Sequence, residues 1–194
     1  MAHLSNSLVL KYDLSWIPLN NIAAGDILLG ADTLPKIVKK VDVYKLNYKR
    51  VFTFQDFPQI RFTEIDALWA VNFTKQWWWV ENAAALQFMW GSLGIKPYGL
   101  KIIDSMLVNY KVRFANLHGW SFRELVDVTD QYSEDTETIF VYTDDYSPII
   151  INGHIANTGL NEYVYDYTQF DWNRYQPLIK EKLIEKNQLV FPHR

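Results

Sequence analysis

Apolar and polar residues alternate along most of this chain up to about residue 160, and this period-two pattern constrains its fold more than any other feature. Because successive side chains of a β-strand point to opposite faces, the alternation predicts strands with one buried face. It predicts strands in LVLKYDLSWIPL, GDILLGAD, KIVKKVDVYKL and LWAVNF, with Val41 and Val43 on one face of the third, and a hairpin in RVFTFQDFPQIRFT that turns near Pro58. Asn152 and Gly153 predict a two-residue hairpin turn. We therefore expect an all-β domain of short antiparallel strands and hairpins.

Helical patterns are few and short. NAAALQFMW predicts a brief helix after Asn82, which can cap it. YQPLIKEKLIEKNQ, residues 175–188, predicts the longest helix, because Pro177 suits a first turn and the apolar residues Leu178, Ile179, Leu183 and Ile184 form a stripe. We expect a β domain over residues 1–159 with an aromatic-rich insert at about 74–103, followed by an aromatic connector and a helix over 160–194.

Charge and cysteine content exclude several classes of function. The 194 residues carry a net charge of −3, which disfavours nucleic acid as a partner. There is no cysteine, and so no disulfide framework, thiolate metal site or cysteine nucleophile. The N-terminal residues lack the pattern of a signal peptide, and no apolar stretch is long enough for a membrane span. We expect a cytosolic globular domain with no cofactor and no metal.

The aromatic content is high, with 8 Trp, 12 Tyr and 11 Phe. Three adjacent tryptophans at 77–79 cannot all point inward from one strand or helix, so at least one needs cover from elsewhere. Protein contact is the favoured explanation, and stacking on sugars or bases is the alternative. The predicted interface consists of Trp77, Trp78, Trp79, Trp90, Trp172, Leu178 and Leu183.

Four stretches in order give the chain a family resemblance: WIPLNNIAAGDILLGAD, IRFTEIDALWAVN, LHGWSFRELVDV and TIFVYTDDYSPIIINGHIANTG. Together they resemble the Hint domain, the fold shared by inteins and the autoprocessing part of hedgehog proteins. The resemblance covers roughly residues 2–158, and residues 74–103 match nothing in it. It implies a curved β domain and a site for self-cleavage.

At the catalytic positions the sequence departs from that family. The nucleophile position falls on Ala2, whose methyl group cannot attack a carbonyl. In the segment where the family has Thr and His, this chain has Thr63 and Asp66. The closing His-Asn pair aligns with Asn157 and Thr158 or, with a one-residue deletion, with Ala156 and Asn157. These positions are therefore interpreted as vestigial, and no catalytic residue is expected.

Other polar groups have simpler interpretations. His118 and His154 lie beside turns and form a weak metal pair, whereas His3 and His193 are expected at mobile termini. The acidic segment 129–137 is interpreted as a solvated hairpin loop. The basic residues at 36–50, for which solubility is the ordinary explanation, are Lys36, Lys39, Lys40, Lys45, Lys49 and Arg50.

The resemblance also suggests a role, since Hint-like domains without processing residues occur in bacteriophage particles. The leading hypothesis is a non-catalytic virion component of a tail, baseplate or neck, assembled in the host cytoplasm beside other structural proteins. Two alternatives stay open. One is a self-processing element that cleaves or splices beside Asn157, and the other is a carbohydrate-binding module.

Overall fold

The computed structural model describes residues 3–71, 98–102, 112–145, 147–156, 158 and 171–191. This part of the chain contains fifteen strands: β1 His3–Leu4, β2 Leu8–Leu10, β3 Trp16–Pro18, β4 Ile27–Leu29, β5 Pro35–Lys45, β6 Val51–Phe54, β7 Phe57–Thr63, β8 Ala67–Val71, β9 Tyr98–Ile102, β10 Val112–Asn116, β11 Gly119–Arg123, β12 Leu125–Asp127, β13 Glu137–Thr143, β14 Ile149–Ile151 and β15 His154–Ala156. Helix α1, Trp172–Glu185, follows them, and two short 3₁₀ turns lie at Leu19–Asn21 and Thr129–Gln131.

The strands form three antiparallel sheets. The largest has the order β11-β10-β8-β15-β14-β2-β3, with β9 also paired to β8. A second sheet has the order β1-β13-β5-β4, and a third has the order β12-β6-β7. Isolated bridges from Lys11 to Leu28 and from Gly30 to Ile149 link β4 to the largest sheet. This architecture confirms the prediction of an all-β fold made of short antiparallel strands.

The hairpin signals were right in kind and partly wrong in position. Asn152 and Gly153 form the two-residue turn between β14 and β15, with φ values of 50° and 74°. The hairpin of β6 and β7, however, turns at residues 55–56, and Pro58 lies inside β7. β7 is the outer strand of its sheet, where a proline, which has no N–H to donate, is tolerated.

Helix α1 begins three residues earlier than the sequence pattern predicted. The side chain of Asp171 accepts a hydrogen bond from the backbone N–H of Asn173 (3.1 Å) and caps the helix. Pro177 therefore lies within the helix rather than in its first turn, which corrects the prediction. No helix among the described residues is both long and apolar enough to cross a membrane.

Two apolar clusters fill most of the interior. One is centred on the rings of Phe54, Phe62 and Phe114. The other contains Trp172, Ile179 and Leu183 of helix α1 together with residues of the largest sheet. The helix therefore completes a core that the sheet alone leaves open.

Candidate functional site

A tight turn between β7 and β8 holds the two residues that the resemblance assigns to a catalytic segment. The backbone N–H of Thr63 donates to Asp66 Oδ2 (2.9 Å), and the N–H of Asp66 donates to the carbonyl of Thr63 (3.1 Å). Both side chains are fully buried. An aspartate that accepts a backbone N–H three residues away is a common way to close a turn. The spacing Thr63-x-x-Asp66 is therefore sufficient to build this corner.

His3 packs against this turn from β1. Its Nδ1 lies 3.1 Å from Asp66 Oδ1, and its side chain is only 3% exposed. The contact is within ion-pair distance but lacks the alignment of a hydrogen bond, and in the part of the chain that the structure describes neither ring nitrogen has a hydrogen-bond partner. The expectation of a mobile terminus was wrong for His3, because β1 pairs with β13 and its side chain is enclosed.

The C-terminal end of the β domain supplies Thr158. Its hydroxyl donates to the carbonyl of Ser147 (3.1 Å) and lies 3.2 Å from the hydroxyl of Thr143, the last residue of β13. All three residues are buried. A carbonyl oxygen cannot take a proton from a hydroxyl, so these contacts position Thr158 without activating it as a nucleophile.

The sheet pairing brings the ends of the β domain toward one corner. β1 pairs with β13, which ends at the Thr143 contact with Thr158. In the neighbouring sheet, β15 pairs with β8, and Ala156 stands opposite Leu68, two residues after Asp66. Ala156 is fully buried and offers only a methyl group. Ala2 and Asn157 lie outside the described residues.

The carboxylate of Asp66 is the main hydrogen-bond acceptor described at this corner. Asp66 uses one oxygen to accept from Thr63 and turns the other toward His3. A buried carboxylate needs such compensation, because its desolvation is costly. His3, which family spacing did not indicate, brings an imidazole ring to this corner. The sequence feature that could have pointed to His3 was Asp66, because a buried carboxylate needs a partner and the chain offers only 4 histidines as candidates of that type.

Solved structures with a similar fold include an intein and an intein-like domain. The chain is similar to a DnaB intein from Synechocystis sp. PCC 6803, with a TM-score of 0.53 and 10% sequence identity over 82% of this chain and 99% of the intein. It is equally similar to a bacterial intein-like domain from Clostridium thermocellum, with a TM-score of 0.53 and 12% identity over 81% of this chain and 98% of that domain.

The chain has a Hint-like fold. No protein-family model matches its sequence, and no curated protein matches it. At these identities the similarity concerns the fold, and function has to be argued from the residues of the site.

The predicted interface residues of this Hint-like domain divide into three groups. Trp77, Trp78, Trp79 and Trp90 lie outside the described residues. Trp172 and Leu183 are buried in the chain's own core, so the prediction that they face a partner needs correction. Leu178 is 50% exposed on helix α1. Of the four residues in the predicted apolar stripe, Ile179 and Leu183 are covered by the domain itself, whereas Leu178 and Ile184 are exposed.

The two histidines considered as a metal pair have other partners. Nδ1 of His154 bonds to the carbonyl of Asn152 (2.9 Å), and its ring packs against Phe54 and Phe62. Burial lowers the pKa of His154 to about 3. Nε2 of His118 bonds to the carbonyl of Phe191. Among the described residues, no group of three or more metal-ligating side chains could hold an ion.

Lys36 departs from the solubility interpretation given to the basic residues at 36–50. Its ammonium is buried and contacts Asp145 (2.8 Å) and Asp32 (2.9 Å). Burial would lower the pKa of Lys36, but the hydrogen bonds to these two carboxylates outweigh that effect and raise it. Lys39, Lys40 and Lys45 are exposed, as expected for solubility.

A separate pocket of about 430 Å³ lies beside the turn between β6 and β7, and its lining includes Asp56, Arg123 and Glu124. Arg123 is buried between the rings of Phe54 and Phe57, and its Nη1 donates to Asp56 (3.0 Å). Because Asp56 already pairs with its charge, Arg123 offers little attraction to an anionic ligand.

Proposed function

We propose that this chain is a Hint-like domain that neither cleaves nor splices itself and acts as a structural part of a larger assembly. The observation that carries the proposal is the buried contact between His3 and Asp66. It fills the corner where the resemblance expects a histidine acid, and it joins the N-terminal strand to the turn at Thr63. We infer from this contact that the corner serves as a packing contact rather than as a site for a scissile peptide.

The remaining positions support the same proposal. Ala2 has no group that could displace a peptide bond, and Ala156 puts a methyl where one alignment expects histidine. The hydroxyl of Thr158 donates to a backbone carbonyl, which cannot act as a base. Catalytic groups that act as a unit lose several powers of ten in rate when members are removed. A chain that departs from the family at Ala2, Asp66 and Ala156 is expected to stay intact.

The assembly we propose is a bacteriophage particle, in its tail, baseplate or neck. Its support is the resemblance to processing-deficient Hint domains of such particles, together with an aromatic sequence beyond what one small core needs. The partner surface we propose includes Trp77, Trp78 and Trp79. Leu178 adds an exposed apolar position on helix α1.

The test is quantitative mass spectrometry of particles purified from the host that makes this chain. We expect the chain at a fixed ratio to known particle proteins, without truncation. Replacing Trp77, Trp78 and Trp79 by Ala should reduce incorporation. The matched control is Tyr48→Ala, which removes an aromatic side chain that is 86% exposed between β5 and β6. Absence of the chain from particles, or equal incorporation of both variants, would contradict the proposal.

A second candidate function, self-processing, is favoured by one specific observation. Asp66 Oδ1 lies 3.1 Å from His3 Nδ1, on the side where a carboxylate that orients a histidine base would lie, and among the described residues the buried Nε2 has no hydrogen-bond partner. In this alternative, the side-chain amide nitrogen of Asn157 attacks the main-chain carbonyl carbon of the same residue. The peptide bond to Thr158 breaks, and the proton lost by the attacking nitrogen passes to the leaving amine of Thr158. Cleavage that stops in both Asn157→Ala and His3→Gln would establish this function in place of the first.

A further inference from the structure

The C-terminal segment 171–191, here called the tail, lies on a continuous surface of the β domain. Trp172, Ile179 and Leu183 are its fully buried anchors. They pack in the same cluster as Trp69, Ala115 and Ile155 of the largest sheet. Exposed residues such as Leu178 and Ile184 occupy the other side of helix α1. The tail is therefore an amphipathic segment whose apolar side is matched to this sheet.

Specific hydrogen bonds fix the start of the tail. Trp172 Nε1 donates to the carbonyls of Asn116 (3.0 Å) and Gly119 (3.2 Å). Gln176 Nε2 donates to the carbonyl of Leu117 (2.7 Å). In the opposite direction, Trp120 Nε1 donates to Asn173 Oδ1 (2.8 Å). These bonds occupy backbone carbonyls in the turn between β10 and β11, which would otherwise need other partners.

A second set of contacts fixes the end of the tail. Trp16 Nε1 donates to the carbonyl of Gln188 (2.8 Å), and the ring of Phe191 meets the ring of Trp16 edge-on at 4.8 Å. Phe191 also lies so close to Gly153 that a Cβ on that glycine would stand 2.8 Å from its ring. The two ends of the tail are therefore anchored on different elements of the β domain.

We propose that the tail and the β domain form an interface that holds without a covalent connection, so that a break within residues 159–170 leaves a stable complex of two fragments. The occupant of the surface is the tail of the same chain. Its buried aromatic anchor, matched hydrogen bonds and capped helix are features of interfaces in which a helix binds a preformed groove. The inference does not depend on whether the chain processes itself.

The test inserts a protease recognition sequence between Gly159 and Leu160 of the full chain, which is folded and then cut. We expect the two fragments to co-elute in gel filtration at micromolar concentration, with a native mass equal to one copy of each. Separate elution of the tail would overturn the proposal. A native mass with two copies of each fragment would also overturn it, because it would show exchange of tails between chains.

Two variants make the result specific to the anchor. Trp172→Phe keeps an aromatic ring but removes the N–H that donates to Asn116 and Gly119, and we expect the cut chain to exchange its tail for a labelled 171–191 peptide at least tenfold faster. Leu178→Ala removes an exposed side chain, and we expect unchanged exchange. Equal exchange rates in the two cut variants would contradict the assigned interface.

Discussion

At the residue scale, buried polar groups such as Asp66 and Lys36 are held by partners from distant parts of the chain. Thr63 and Asp66 could be placed from their spacing, because the turn that joins them is local. His3 could not, because its contact with Asp66 depends on β1 pairing with a strand more than a hundred residues away. Lys36 was misplaced for a related reason, since Asp145 reaches it from a distant segment.

His154 gives a pH-dependent prediction at this scale. Burial lowers its pKa to about 3, against an opposing hydrogen bond with Asn152, and the nearby charge of Arg123 lowers it further. Below pH 6.5 His154 therefore binds a proton in the unfolded chain but stays neutral in the folded chain. Stability is lost as the pH falls from about 6.5 toward 3. We expect this residue to cost roughly 2 kcal/mol of unfolding free energy between pH 7 and pH 5. Urea titrations at both pH values should show a smaller loss for His154→Phe, and an identical loss would contradict this assignment.

Lys36 gives a prediction about ion pairing. Its hydrogen bonds raise the pKa of Lys36, and the same contact helps to lower the pKa of Asp145 against the effect of burial. The ion pairs therefore stabilise the fold between these two groups' ordinary pKa values. Their stabilisation is lost as the pH falls below 3.8, the ordinary pKa of Asp145, and as the pH rises above 10.5, the ordinary pKa of Lys36. At pH 7 we expect Lys36→Met to lower the unfolding free energy by about 1–3 kcal/mol, because Asp32 loses its counter-charge. Lys39→Met, an exposed change on the same strand, should stay within about 0.5 kcal/mol in the same urea titration. Equal effects of the two changes would contradict the assignment of Lys36 as a buried ammonium paired with Asp32 and Asp145.

At the scale of elements, local sequence patterns predicted which segments form hairpins and helices better than they predicted the residues at which these elements begin and end. Asn152 and Gly153 specify their turn because both adopt positive φ. Pro58 misplaced the turn of the β6 and β7 hairpin, since an outer strand tolerates a proline that a central strand would not. The sequence pattern missed the start of helix α1, which is capped by Asp171. The first helical residue, Trp172, is buried against the sheet and does not belong to the apolar stripe that predicted the helix.

Two turn glycines with positive φ allow the cost of backbone strain to be separated from the cost of a clash with the tail. Gly25 and Gly153 have φ values of 94° and 74°, but only Gly153 would place a Cβ against Phe191. We expect Gly25→Ala to cost about 1–2 kcal/mol from backbone strain alone. Gly153→Ala should cost more in urea denaturation, because it also displaces the end of the tail. A smaller cost for Gly153→Ala would show that Phe191 does not pack on this turn.

At the scale of the whole molecule, the tail and the β domain share one core. The sequence predicted an apolar stripe on the helix but assigned it to a partner, because a stripe does not reveal which surface covers it. The Hint-like fold was recognisable from four short stretches, although overall identity to solved inteins is as low as 10%. The fold survives such divergence because its strand pairing needs only alternating apolar residues and a few turns.

The central claim is that this Hint-like domain leaves its own chain uncut. Intact mass spectrometry of the purified full-length chain under denaturing conditions, after prolonged incubation with and without added thiol, tests it most directly. Denaturing conditions are essential, because a tail released beyond Asn157 is expected to stay bound in the native state. We expect a single uncut species in both the wild type and Asn157→Ala. A fragment that ends at Asn157, accumulates with time and disappears in Asn157→Ala would contradict it.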